Sequence, residues 1–156
     1  MSDRTIEMTT AVQAPPETVF RALTDAGELV RWFASAADSD PRPGGAFSYR
    51  YEFEEDQSRN HTYSGEYRDV RPNELVAYPW NARLGTTQVE FRLRPVADGT
   101  EVELTHSGWG DGADWEESLE MHRAGWAFFL GNLRAYLERG EDARAEAMGM
   151  KVAMTA

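Results

Sequence analysis

The sequence predicts an α+β fold: a curved antiparallel sheet of about six strands wrapped around one long C-terminal helix, with two short helices after the first strand. Three observations predict it. Apolar and polar residues alternate in short segments between Ile6 and His106, the period of strands with one face in a core. Turn-forming groups such as Arg71-Pro72-Asn73-Glu74 and Ala97-Asp98-Gly99 separate the later segments, as in hairpins. After Gly112 the apolar spacing changes to steps of three and four and holds as far as Gly140. A sheet with one apolar face has to be covered, and that last helix is the only element large enough to cover it.

Ile6, Met8, Thr10 and Val12 share one face of the first strand. Pro15-Pro16-Glu17 then opens a helix, because a first turn has no use for the proline N–H. Val19, Phe20 and Leu23 form its inner stripe, Asp25-Ala26-Gly27 breaks it, and Leu29, Val30, Trp32 and Phe33 predict a second short helix. Ser35 to Gly45 reads as loop by composition. Phe47, Tyr49, Tyr51 and Phe53 then face one way, with Ser48, Arg50, Glu52 and Glu54 facing the other. Glu55 to Asn60 is a polar turn, after which His61, Tyr63, Gly65 and Tyr67 share an inner face. Leu75 to Trp80 is a short strand; Val89, Phe91 and Leu93 lie on the next, and Val102, Leu104 and His106 on the last. The long helix runs over about 114 to 139, about 39 Å at 1.5 Å per residue. Asp114 is placed to cap it and Gly140 to end it. Residues 1–140 therefore form one domain, and 141–156 a loosely ordered tail in which Met148, Met150, Val152 and Met154 alternate.

Composition narrows the function classes. Of the 156 residues 41% are hydrophobic, and five tryptophans, six tyrosines and seven phenylalanines supply the surface for a core. No run approaches the roughly 18 apolar residues that span a bilayer, and the opening MSDRTIEMTT has no apolar stretch of a secretory signal. A cytoplasmic, soluble domain is the expectation. Sixteen basic against 27 acidic residues give a net charge of −11, a field that repels phosphate backbones and anionic membranes. Neither nucleic acid nor membrane is expected as a partner. The absence of cysteine removes thiol chemistry and cysteine zinc sites.

Nucleophilic, metal and dinucleotide chemistry find no pattern. Ser107 and His106 are strand neighbours and point to opposite faces, and Ser64 and Ser118 have no better partner. His61, His106 and His122 form no H-x-x-x-H, and Glu116, Glu117 and Glu120 miss the E-x-x-H spacing to His122. Gly108 to Ala113 fits G-x-G-x-x-A, yet no parallel strand follows and Asp111, Asp114, Glu116 and Glu117 would repel a phosphate there. No cofactor and no metal is expected. What remains is a set of inward rings. Tyr49, Tyr51, Tyr63, Tyr67, Trp80, Phe91 and Trp126, together with His106 and His122, predict a partly polar cavity; a plain core would favour residues without hydroxyls to satisfy. His106 and His122 are also the candidates for acid–base work, against the simpler reading of satisfied core histidines.

Three stretches carry a resemblance. They are Gly65-Glu66-Tyr67 through Pro72-Asn73-Glu74-Leu75-Val76 with Trp80, Leu104-Thr105-His106-Ser107-Gly108-Trp109, and Gly125-Trp126 with Leu130, Leu133 and Leu137. In order and spacing the chain resembles, over about residues 5–139, the homologues of the activator of the heat-shock-protein-90 ATPase. That family lies within the START-like, Bet v 1-like (SRPBCC) superfamily. The resemblance implies a helix-grip fold around a hydrophobic ligand cavity. It implies three functions: a small-molecule or lipid-binding protein; a cyclase, aromatase or lyase using a cavity histidine; or a chaperone ATPase-interacting module tied to stress response. The first is the leading expectation, with a small hydrophobic or aromatic ligand. The chain is expected as a monomer or a homodimer, with Trp109 and Trp115 as exposed rings for a contact between copies.

Overall fold

The computed structural model of the chain describes residues 4–152. Strand β1 (Ile6–Val12) leads into helices α1 (Pro16–Thr24) and α2 (Ala26–Trp32). Pro16 occupies the first position of α1. Asp25 ends α1 and caps α2, its carboxylate accepting the Glu28 N–H at 3.1 Å, so a single residue sets the bend between them.

The chain forms eight strands, against the about six read from the sequence, in two antiparallel sheets. Strands β2 (Ala36–Ser39), β3 (Ala46–Tyr51) and β4 (His61–Glu66) form one, in the order β2-β3-β4. The other comprises β1 with β5 (Asp69–Arg71), β6 (Leu75–Ala82), β7 (Gly85–Val96) and β8 (Gly99–Ser107), in the order β1-β8-β7-β6-β5. Residues 67–68 seam the two: Tyr67 exchanges 2.8 Å backbone hydrogen bonds with Gly44 and Gly45, and the Arg68 N–H reaches Ala77 O at 2.8 Å. Helix α3 (Ala113–Arg139) lies against the apolar face and buries Leu119, Trp126, Phe129, Leu130 and Leu133. It ends at Gly140, whose φ of 67° is left-handed, a conformation that glycine adopts most readily. The architecture is the α+β helix-grip fold.

Four local expectations change. Ala36–Ser39, inside the stretch read as loop, is the edge strand β2, pairing Ala36 with Arg50 and Ser39 with Phe47. A four-residue edge strand with one polar face has too little apolar content to show in the sequence. Asp114 does not cap α3; Gly112 holds that position and Asp114 sits in the first turn, where the helix dipole still favours it. Trp109 and Trp115 are not the exposed rings expected for a contact between copies. Trp109 is buried and donates its indole N–H to His106 O at 3.0 Å. Trp115 is half-buried against Gly85 and Gly110, and a Cβ on Gly110 would come within 2.6 Å of its ring.

The fourth difference is the tail. Residues 144–148 form helix α4 (Arg144–Met148), and the next residues pair with the end of β3. The Glu54 N–H donates to Gly149 O at 2.9 Å and the Lys151 N–H to Glu52 O at 2.8 Å. The Ser35 hydroxyl also holds Lys151 O, at 2.6 Å. Arg144, 1% exposed, anchors the segment by donating to Ala34 O and Val30 O at 2.8 Å and by clasping Asp142. Met150 is buried. Residues 141–152 are therefore docked on the domain rather than loosely held; Met154 lies outside the described residues.

Candidate functional site

The rings on the inner faces divide along the strands into a closed end and an open one. At the closed end Phe47, Tyr49, Tyr67 and Tyr78 pack on each other, with Phe47 4.9 Å from Tyr49 and 5.2 Å from Tyr67 between ring centres. The Tyr49 and Tyr67 phenols are satisfied internally: Tyr49 Oη lies 2.6 Å from Tyr67 Oη, which lies 2.7 Å from Ser39 Oγ. Burial pushes the Tyr49 phenol well above its ordinary range, so it stays neutral. That end is core.

At the other end the rings stand apart around a hollow of about 550 Å³. Its walls are Phe33 after α2, Tyr51 and Phe53 from β3 and its extension, Tyr63 from β4 and Trp80 from β6. Helix α3 contributes His122, Trp126 and Phe129, and the docked tail adds Met148 and Met150. Trp80 lies flat on Tyr63, ring centres 3.8 Å apart, and Phe33 stacks on Trp126 at 5.7 Å. Gly125 faces this space, since a Cβ placed there meets nothing within 4 Å. Among the described residues the exposed large apolar side chains are Leu84, Val96 and Met121, and two of these three, Leu84 and Met121, stand at the mouth of the hollow. A larger groove, about 820 Å³, lies outside the sheet, lined by opposing charges such as Arg71, Glu74, Arg92 and Glu101 and by no aromatic ring. With charged walls and no ring, it is a weaker site for a small apolar molecule.

Of the nine residues singled out in the sequence, Tyr51, Tyr63, Trp80, His122 and Trp126 line the hollow. Tyr49 and Tyr67 close the far end, Phe91 packs against Trp126 at 5.7 Å, and His106, 0% exposed, sits inside the wall. Sequence reasoning did not pick out Phe33, Phe53, Phe129, Met148 and Met150 as wall residues. The alternation already put Phe53 on the inner face, and that of Met148 and Met150 was its trace in the tail.

The two histidines stitch sheet to helix through one chain of hydrogen bonds. Trp126 of α3 donates its indole N–H to His106 Nδ1 at 2.9 Å. An indole nitrogen only donates, so Nδ1 must accept and Nε2 carries the proton. Nε2 lies 2.6 Å from Thr87 Oγ1, whose own hydrogen goes to Trp80 O at 3.0 Å. The Trp80 indole donates at 3.1 Å to His122 Nε2, and His122 Nδ1 donates to Ser118 O at 2.8 Å, returning to α3. Each imidazole thus has one nitrogen accepting and the other donating, and a second proton on either would face an indole N–H. Burial, reinforced by the neighbouring His122, pushes His106 down to about 3. Burial also lowers His122, against the opposing pull of Ser118 O.

Tyr51 departs from this completeness. Its hydroxyl is the one buried side-chain nitrogen or oxygen among the described residues with no hydrogen-bond partner, and burial pushes its phenol well up, so it remains a protonated donor. Among the described residues no group of His, Cys, Asp and Glu is arranged to hold a metal ion, and no helix is long and apolar enough to cross a membrane.

A curved antiparallel sheet gripping a long helix, with a ring-walled hollow between them, defines a protein of the START-like, Bet v 1-like (SRPBCC) class. Within it, the chain belongs to the activator of Hsp90 ATPase homolog 1-like family, whose model matches residues 13–138. No curated protein matches the chain. Among solved structures it is similar to protein MLL2253 from Mesorhizobium loti, at 25% identity and a TM-score of 0.74 over 88% of this chain and 99% of that one. It is also similar to CalU16 from Micromonospora echinospora, at 26% identity and a TM-score of 0.70 over 86% of this chain and 74% of that one. The Aha1 dimer from Colwellia psychrerythraea shares the fold, at 24% identity and a TM-score of 0.72 over 88% of this chain and 98% of that one. The docked tail and its two wall methionines lie beyond the family match.

Proposed function

We propose that the protein binds a small, largely apolar guest, an aromatic molecule or a lipid, in the hollow between β3, β4, β6 and α3. The observation that carries this reading is the hollow itself, about 550 Å³ of space walled by aromatic rings and methionines, within the size range of small-molecule sites. Tyr51, a wall residue, keeps a hydroxyl without a partner among the described residues, a donor for which the protein supplies no acceptor. Leu84 and Met121 at the mouth offer apolar surface to an entering guest. The acid–base reading has less support, because both nitrogens of His106 and of His122 are already committed within the protein. Among the described residues no surface feature specifically favours the chaperone-interaction reading.

Titration with N-phenyl-1-naphthylamine, a neutral apolar fluorophore, tests the proposal. One-to-one saturable binding is expected, with quenching of the emission of Trp80 and Trp126, which flank the site. At a hundredfold excess over its Kd the bound probe should stabilise the fold by about 2.7 kcal/mol. No saturable binding of this probe, nor of flavonoids, polyketide-like aromatics or fatty alcohols up to their solubility, would overturn it.

A further inference from the structure

We propose that the guest is an amphipathic carboxylate, its apolar body in the hollow and its anionic head held at the mouth by Arg59 and Arg83. The inference rests on the reading of the hollow as a guest site and goes beyond it by naming the head group. The chain carries a net charge of −11, and its arginines mostly lie against carboxylates, as Arg50 does with Glu52, Arg92 with Glu90 and Arg134 with Glu138. Arg59 and Arg83 are both exposed on the lip, and neither has a carboxylate partner among the described residues.

Both guanidinium groups are held in place by neutral contacts. Arg59 lies over the ring of Phe53, itself a wall residue, 4.0 Å from its centre. Arg83, in the β6–β7 turn, donates to Ser58 O at 2.9 Å and so is tethered beside the turn that carries Arg59. Two like charges stand together, oriented but without a counter-ion, where the apolar wall meets water. Asp114 and Glu117 occupy the opposite lip, at the start of α3, where the helix dipole offsets about half a charge. The positive charge at the mouth is therefore gathered on one lip, apart from the acidic one. A guanidinium fork matches a carboxylate in shape as well as sign, and unlike a buried pair this one costs little desolvation.

Three probes with one ring system and different heads separate the possibilities: 9-anthracenecarboxylic acid, 9-anthracenemethanol and 9-(aminomethyl)anthracene, titrated by fluorescence at low salt. The carboxylate should bind the wild-type protein about tenfold more tightly than the alcohol, as expected of two exposed charge contacts, and added salt should erase the difference. In the Arg59→Gln/Arg83→Gln double variant the preference for the carboxylate over the alcohol should collapse. If the alcohol or the amine binds wild type at least as tightly as the acid, the anionic head is refuted while the hollow stands as a guest site. If the preference survives in the double variant, the assignment to these two arginines is refuted. If none of the three binds, the guest site falls with it.

Discussion

Replacing His106 with alanine is expected to cost about 3 kcal/mol of folding stability, a large loss for one side chain of a domain this size. The imidazole is fully buried, and its removal leaves both a void and two polar groups, the Trp126 N–H and the Thr87 hydroxyl, without their partner. A simpler apolar core position would lose only the packing. The same geometry makes stability depend on pH. Burial holds His106 down to about 3, below its ordinary 6.5, so between those values the unfolded chain binds a proton that the native state refuses. Stability therefore falls as pH falls through that window, by up to about 1.4 kcal/mol per pH unit. His122, also lowered, acts in the same direction. His106→Gln removes one titrating group while keeping an amide at the site. Its stability deficit relative to wild type, measured by urea unfolding, should shrink by about 2 kcal/mol from pH 7 to pH 5. A deficit that stays constant over that range would mean that His106 titrates alike in both states, and the hydrogen-bond chain described above would be wrong.

The second large effect is expected at Arg144. Its guanidinium binds both oxygens of Asp142 and two backbone carbonyls, Val30 O within α2 and Ala34 O just after it, at 2.8 and 2.9 Å, with almost no solvent contact. Burial raises the Asp142 carboxyl, but the hydrogen bonds from Arg144 and Asn132 outweigh it and hold that group below its ordinary 3.8. The stability this pair contributes is thus present above that pH and is lost as pH falls below it, a window distinct from that of the histidines. Arg144→Ala should cost about 3 kcal/mol, because a buried carbonyl pair and a partly buried carboxylate lose their donor together. Arg144→Lys should recover only part of this, since an ammonium cannot reproduce the fork. Hydrogen exchange should show faster exchange at the Lys151 and Glu54 amides, which pair across this segment, while the β7–β8 amides stay protected. A loss below about 0.5 kcal/mol with unchanged exchange would show that the tail is not anchored there.

The strands and the long helix were legible because burying one face imposes a period, and Phe47, Tyr49, Tyr51 and Phe53 display it plainly. Period identifies the face but not the depth. Tyr49 and Tyr51 share a face and lie about 7 Å apart along one strand, yet one closes the core and the other lines the hollow. Nothing local distinguishes them; partners from β2, β6 and α3 do. His106 and His122 were correctly placed inward, but their roles follow from the Trp80 and Trp126 indoles, which arrive from other elements. The tail escaped because it is held by a buried arginine, which hydropathy assigns to the surface, and by backbone hydrogen bonds to Glu52 and Glu54 that no local pattern announces.

Whether the space between the sheet and α3 receives a guest is decided by Gly125→Leu. Gly125 lies within the helix, faces the hollow and has no atom near its missing Cβ, so the larger side chain enters the space without displacing the core. Replacing a helical glycine with leucine should hold or raise stability, by up to about 1 kcal/mol. The variant should melt no lower than wild type but bind N-phenyl-1-naphthylamine at least about tenfold more weakly. A folded Gly125→Leu protein that takes up the probe as wild type does would contradict a guest site there.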